Sequence, residues 1–230
     1  MSDIFNNDSL DQNHNKIIKR IDGNYILEEI QSVFSFERGF LFTVKELTVN
    51  PGTAVKEFLN EDRKRLIKPI LFLIFTSLIY SILNNILSFE DGYVKYSGEN
   101  DSTIFTLFEW VQQNYGYSNI LLAIFIGFWT RLFFIKYGYN IFEIFVLLCF
   151  IMGYGMLIFS VFAIIQSIVN QDVMQIAGVA GFIYTFWAIG QFYDRKKLIN
   201  YIKAFLAYIL GMMTFGLAIL SIGLAIDLLN

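Results

Sequence analysis

The stretch from Ile144 to Ile168, IFVLLCFIMGYGMLIFSVFAIIQSI, contains no charged side chain. About 20 mostly apolar residues are enough for a helix to cross the roughly 30 Å of hydrocarbon in a bilayer. In water such a helix would need cover on every side. In lipid it needs none, because its backbone groups are satisfied within the helix. Four more stretches are long and mostly apolar, at about 69–87, 118–135, 176–192 and 204–226, the second of them containing Arg131. Hydrophobic residues make up 56% of the chain and charged residues only 16%, against roughly 25% charged in soluble domains. The sequence therefore predicts an all-α fold, an integral membrane helical bundle with five transmembrane helices.

Charge placement orients the bundle, because Lys and Arg in short flanking loops are retained on the cytoplasmic side. With the N-terminus inside, all of the 17 Lys and Arg except Lys95 fall on that side or just within its interface. Arg63, Lys64, Arg65 and Lys68 precede the first span, Lys136 follows the second, and Arg195, Lys196, Lys197 and Lys203 lie between the last two. The expected topology is N-in/C-out. The first twenty residues lack the apolar core of a cleavable signal, so targeting is expected to come from the spans.

Three regions are expected. Residues 1–23 read as a disordered polar tail, 24–68 as a cytoplasmic amphipathic helical segment, and 69–230 as the transmembrane domain with an outer loop at 88–117. Within the second region Ile26, Ile30, Val33 and Phe34, and then Phe40, Val44 and Leu47, follow helical spacing. Pro51 suits the first turn of a new helix whose apolar side is Val55, Phe58 and Leu59. In the outer loop Ile104, Leu107, Phe108 and Val111 form one stripe behind Asp101 and Ser102. That stripe predicts a helix lying along the outer membrane surface.

Catalytic chemistry finds little to work with. One cysteine, Cys149, and one histidine, His14, cannot supply the four ligands of structural zinc, and most catalytic triads need a histidine. No HExxH, GxSxG or Walker A pattern is present. The acidic doublet Glu28–Glu29 lies in the soluble segment, and no chain of carboxylates crosses the spans. Neither a cofactor nor an enzymatic activity is expected, and a proton-coupled pump has no support.

The candidate functional residues are few. The collar Arg63, Lys64, Arg65 and Lys68 abuts a span, which argues against nucleic acid and for anionic headgroups, at about 1 kcal/mol per basic residue. A second reading adds the free N–H groups near Gly52 and Thr53, at a helix start, as a lipid-phosphate or partner contact. Arg131 is the basic residue that falls within a span, which makes it a candidate for substrate or partner binding. Its nearness to Lys136 also lets it snorkel to the headgroups, with Glu143 as an intramembrane ion-pair partner. Ala177 with Gly181 and Ala207 with Gly211 form small-xxx-small steps for close helix packing, within the chain or in a homodimer. Asn84, Asn85, Gln166 and Gln191 are expected to bond between helices.

The residues Gly39, Phe40, Thr43, Glu46, Leu47, Pro51, Gly52, Glu57, Phe58, Leu59, Arg63, Pro69 and Phe72 carry a resemblance. They match a pattern ahead of the first span in a family of small bacterial integral membrane proteins of unknown function. Many of its members add an N-terminal zinc ribbon with paired CxxC motifs, which this sequence lacks. More loosely, the five-span plan, the aromatic-glycine third span and the Lys203–Phe205 opening of the last resemble the Yip-type membrane proteins. The resemblance implies a bacterial inner (cytoplasmic) membrane protein and supplies no catalytic residue. The expected function is a non-enzymatic structural or accessory role, organising a partner protein or local lipid. A small transporter or channel is the alternative. Membrane lipids, a membrane protein partner or a second copy are the expected partners.

Overall fold

Long apolar runs punctuated by short polar turns fold as helices joined by tight corners. The computed structural model describes residues 39–87, 103–169, 171 and 173–229, and no strand occurs among them. The expectations for the tail 1–23, for the stripe Ile26 to Phe34, for Lys95 and for Asp101 and Ser102 lie outside the described residues. Eight helices follow: α1 at 39–49, α2 Pro51–Asn60, α3 Pro69–Ile86, α4 Thr103–Gln113, α5 Tyr115–Phe133, α6 Ile141–Val169, α7 Met174–Asp194 and α8 Leu198–Leu229. A single 3₁₀ turn, Ile135–Tyr137, follows α5, and Gly138 turns the chain at φ 79°. Five of the helices, α3 and α5 to α8, are long and apolar enough to cross a membrane.

The uncharged α6 is the axis of the bundle, packed by α3, α5 and α7. Its buried run from Leu147 to Gly153 explains why the sequence there shows no polar face. Gly153 lets α3 come close: a Cβ at that position would stand 2.7 Å from Phe72 Cδ1 and 3.1 Å from Thr76 Oγ1. Small residues do the same where α8 meets α5, since a Cβ on Gly211 would fall 2.7 Å from the Ile126 Cα.

Helix boundaries differ from expectation where polar side chains cap them. α6 begins at Ile141 because Asn140 N–H donates to Glu143 Oε2 (2.7 Å) while Glu143 N–H donates to Asn140 Oδ1 (2.9 Å), a reciprocal capping box. α8 begins at Leu198 instead of near Ala204. Its first turn buries Asn200, whose Nδ2 donates to Tyr137 Oη (2.8 Å) and to the Asp194 carbonyl (3.2 Å).

The helices define two ends. The basic end gathers α1, α2, the starts of α3, α6 and α8, and the ends of α5 and α7. At the opposite end α4 crosses the bundle rather than standing apart. Its Ile104 backbone touches α8 where a Cβ on Gly223 would be 3.0 Å away, and its other end, with Gly116 of α5, lies beside Ser77 of α3. The α4–α5 corner is held by Asn114 N–H and Nδ2, both donating to the Trp110 carbonyl, and by Ser118 Oγ donating to Val111 O.

Candidate functional site

The segment ahead of α3 is bonded into the bundle. Phe40, Val44 and Leu47 do lie on one side of α1, joined there by Thr43, whose Oγ1 donates to the Gly39 carbonyl (2.8 Å) and accepts from Ile67 N–H (3.1 Å). Leu47 is fully buried, and its carbonyl accepts the Tyr184 hydroxyl of α7 (2.9 Å). Thr48 Oγ1 shares a hydrogen with Tyr154 Oη of α6 (2.9 Å). Tyr154 lies about 20 Å along α6 from its basic end, at 1.5 Å per residue. The turn between α1 and α2 is thus seated alongside the spans and not beyond their ends.

α2 continues the clasp. Asn50 precedes it without a side-chain cap, and Pro51 occupies its first turn, where a missing N–H costs nothing. Gly52 N–H donates to Gln191 Oε1 of α7 (2.9 Å), and a Cβ on Gly52 would meet the Phe192 nitrogen at 2.4 Å. Only glycine allows that approach. Lys56 Nζ donates to the Tyr193 carbonyl (3.3 Å) and lies 5.8 Å from the centre of the Phe192 ring. Burial lowers the Lys56 ammonium below its usual range, and the Asp194 carboxylate opposes that shift. Phe58 meets Phe150 of α6 edge-on at 5.2 Å.

Arg65 locks the clasp shut. Its guanidinium bonds Glu46 of α1 (2.9 Å) and Glu57 of α2, and it sits 5.7 Å from the Phe42 ring. Two carboxylates brought together by the hairpin need a cation between them, and the planar fork of arginine serves both at once.

The sequence-predicted residues therefore separate. Arg65 is an internal cross-link, while Arg63, Lys64 and Lys68 are exposed, and the Lys64 N–H closes a turn onto Asp62 Oδ1 (2.8 Å). Gly52 is taken up by Gln191, so the start of α2 is no open anion cradle, and Thr53 beside it is exposed. Arg131 and Glu143 do not pair. Arg131 Nη1 donates to the Tyr139 carbonyl, and Glu143 is committed to the cap of α6. The reason is local: the tight turn at Gly138 and the capping box satisfy each group within its own corner. Ala177, Gly181, Ala207 and Gly211 are all buried inside the chain. A Cβ on Gly181 would stand 3.5 Å from Phe159 Cε2 of α6, and one on Gly211 would meet Ile126 of α5.

Sequence reasoning missed Tyr154 and Tyr184, which receive the clasp, and expected Gln191 to bond between helices without naming α2 as its partner, because a lone hydroxyl or amide in an apolar span has no visible partner in the sequence. It also did not single out Arg65 from the rest of the basic collar. The signal was present in Glu46 and Glu57, two acids on neighbouring helices with basic residues close behind.

A second feature lies between the spans. A cavity of about 110 Å³ is bounded by α5 to α8, with Asn119, Thr185 and Tyr208 among its lining and Gly155 and Gly178 leaving open space. Asn119 Nδ2 is buried without a hydrogen-bond partner.

These helices, with a bonded hairpin at one end, define an all-helical, multi-pass integral membrane protein. Residues 37–81 are similar to a family described as "Protein of unknown function (DUF3667)", a stretch that covers the clasp and the first part of α3. No curated protein and no solved structure matches the chain.

Proposed function

We propose that the protein is a non-enzymatic accessory protein of the bacterial inner membrane, oriented N-in/C-out, which organises anionic lipid or a membrane partner at its basic end. The observation that carries this reading is the division within the collar. Arg65 is spent on Glu46 and Glu57, whereas Arg63, Lys64 and Lys68 are exposed on the loop that Arg65 ties to the clasp. Three exposed cations beside a span suit an anionic headgroup surface. Inside-positive charge supports the orientation.

The test is lipid analysis of protein extracted in native-membrane particles. Anionic lipid should be enriched around the parent protein and reduced in R63Q/K64Q, with topology unchanged. Equal lipid composition in both would end this reading.

A small transporter is the second reading, supported by the cavity with its unpartnered Asn119 amide. Solute flux in proteoliposomes that disappears in Asn119→Leu would favour it over the accessory role.

A further inference from the structure

At the opposite end a lateral groove of about 250 Å³ separates α3 from the α4–α5 corner. Ile74, Ser77, Leu78 and Ser81 form one wall, and Asn114, Gly116, Tyr117 and Ile120 stand across from it. Its rim faces outward, since Ile74, Leu78 and Tyr117 are exposed. Its floor is unusual for a membrane helix. Ser77 is only 2% exposed, yet its Oγ has no hydrogen-bond partner among the described residues. A serine inside a helix ordinarily returns its hydroxyl to a carbonyl of the preceding turn, as Thr76 beside it does to Phe72 O (2.9 Å).

Depth and charge narrow the occupant. Ser77 lies about 13 Å along α3 from Lys68, which alone would put it deep in hydrocarbon. The corner at Gln113 and Asn114, however, brings polar groups down to the same stretch of α3. Among the described residues no ionisable side chain other than the Tyr117 phenol lines the groove, so they offer an ionised headgroup no counter-charge there. Apolar walls that open sideways and a single buried hydroxyl suit a long apolar chain with one neutral acceptor.

We propose that this groove binds one acyl chain of a glycerolipid from the leaflet at the opposite end. The chain lies along Ile74, Leu78 and Ile120, and its ester carbonyl accepts a hydrogen bond from the Ser77 hydroxyl. Gly116 keeps the passage open, since a Cβ there would stand 3.6 Å from the Ser77 Cβ and a larger side chain would fill it.

The full chain is reconstituted in vesicles containing phosphatidylcholine with a photoreactive diazirine in its acyl chain, and labelled peptides are mapped by mass spectrometry. Residues 74–81 and 114–120 should label above the exposed face of α8 at Ile222 and Leu224. Ser77→Ala should lower groove labelling about threefold, the size of one interhelical-type hydrogen bond in lipid, and an ether-linked analogue should lower it equally in the parent. Gly116→Leu should abolish the excess. Ser77→Ala removes only a hydroxyl, so an unchanged melting temperature separates lost binding from lost fold. Groove labelling equal to the α8 face would overturn the site, and undiminished labelling by the ether lipid would overturn the Ser77 contact.

Discussion

The clasp ahead of α3 and the two open volumes between the spans treat their polar groups differently. In the clasp Thr48, Gly52, Lys56 and the Leu47 carbonyl join α1 and α2 to Tyr154 of α6 and to Gln191, Tyr193 and Tyr184 of α7, while Thr43 and Arg65 tie the loop ahead of α3 to α1 and α2. Beside the two open volumes the buried Ser77 Oγ and the Asn119 Nδ2 have no hydrogen-bond partner among the described residues, as is also true of Thr130 Oγ1 and Tyr193 Oη nearer the basic end. A satisfied buried network rigidifies its surroundings, whereas an unsatisfied polar group in a dry site is a cost unless something binds it. The lesson is that the bonds of the clasp hold a shape, whereas the two open volumes present polar atoms that the protein itself leaves unsatisfied.

Mutations can break this contrast in order of size. Gly52→Leu should be the most damaging, because the added side chain meets α7 backbone that cannot move aside. A loss of about 3 kcal/mol, or failure to recover folded protein, is expected. Size-exclusion profiles and thermal unfolding in detergent check it, and a stable Gly52→Leu protein would mean that α2 does not rest on α7. Arg65→Met should cost about 2 kcal/mol by leaving Glu46 and Glu57 facing each other across a partly buried site. Adding Glu46→Gln and Glu57→Gln to it should recover most of the loss in the same unfolding assay, and Arg65→Lys should recover only part.

Smaller effects sharpen the contrast. Thr43→Ala should cost about 1 kcal/mol, since the Ile67 N–H loses its acceptor in a buried position. Ser77→Ala should leave stability unchanged to within about 0.5 kcal/mol, because no bond within the protein is lost. Equal losses for the two would erase the difference between the clasp and the groove. A double-mutant cycle between Arg131 and Glu143 should give coupling near zero, since each bonds its own corner. Glu143→Ala alone should lose about 1 kcal/mol as the cap of α6 opens.

Lys56 offers a pH test with a definite sign. Its folded pKa lies below its ordinary value, chiefly through burial. Keeping it charged opposes folding below the folded pKa, and that penalty is relieved as pH rises through the folded pKa toward 10.5. The stability of the parent relative to Lys56→Met should therefore rise over that interval; a flat difference would place Lys56 in open water.

Much of the fold was legible because lipid imposes it. Apolar runs mark the spans, and every span but the first begins earlier than hydropathy suggests, with polar side chains visibly fixing the start of α6 through Asn140 and Glu143 and of α8 through Asn200. The clasp was legible in part. Pro51 and the stripe Phe40, Val44 and Leu47 announced two helices, but the surface that buries them could not be read from their own pattern. An amphipathic face fits a membrane surface or a groove between spans equally well, and only Tyr154, Tyr184 and Gln191 decide for the groove. The ion pair expected between Arg131 and Glu143 rested on nearness in sequence. It gave way to backbone partners that a tight turn supplies more cheaply.

The seating of α1 and α2 against the spans is the claim on which the rest depends. Hydrogen exchange of the protein in lipid nanodiscs measures it directly, with peptides covering 39–60 compared with those covering the exposed end of α8. The account predicts that amides of 39–60 exchange more than about tenfold slower than those α8 amides, and that Arg65→Met removes most of the difference. Exchange of 39–60 as fast as that of the α8 end in the parent protein would contradict it.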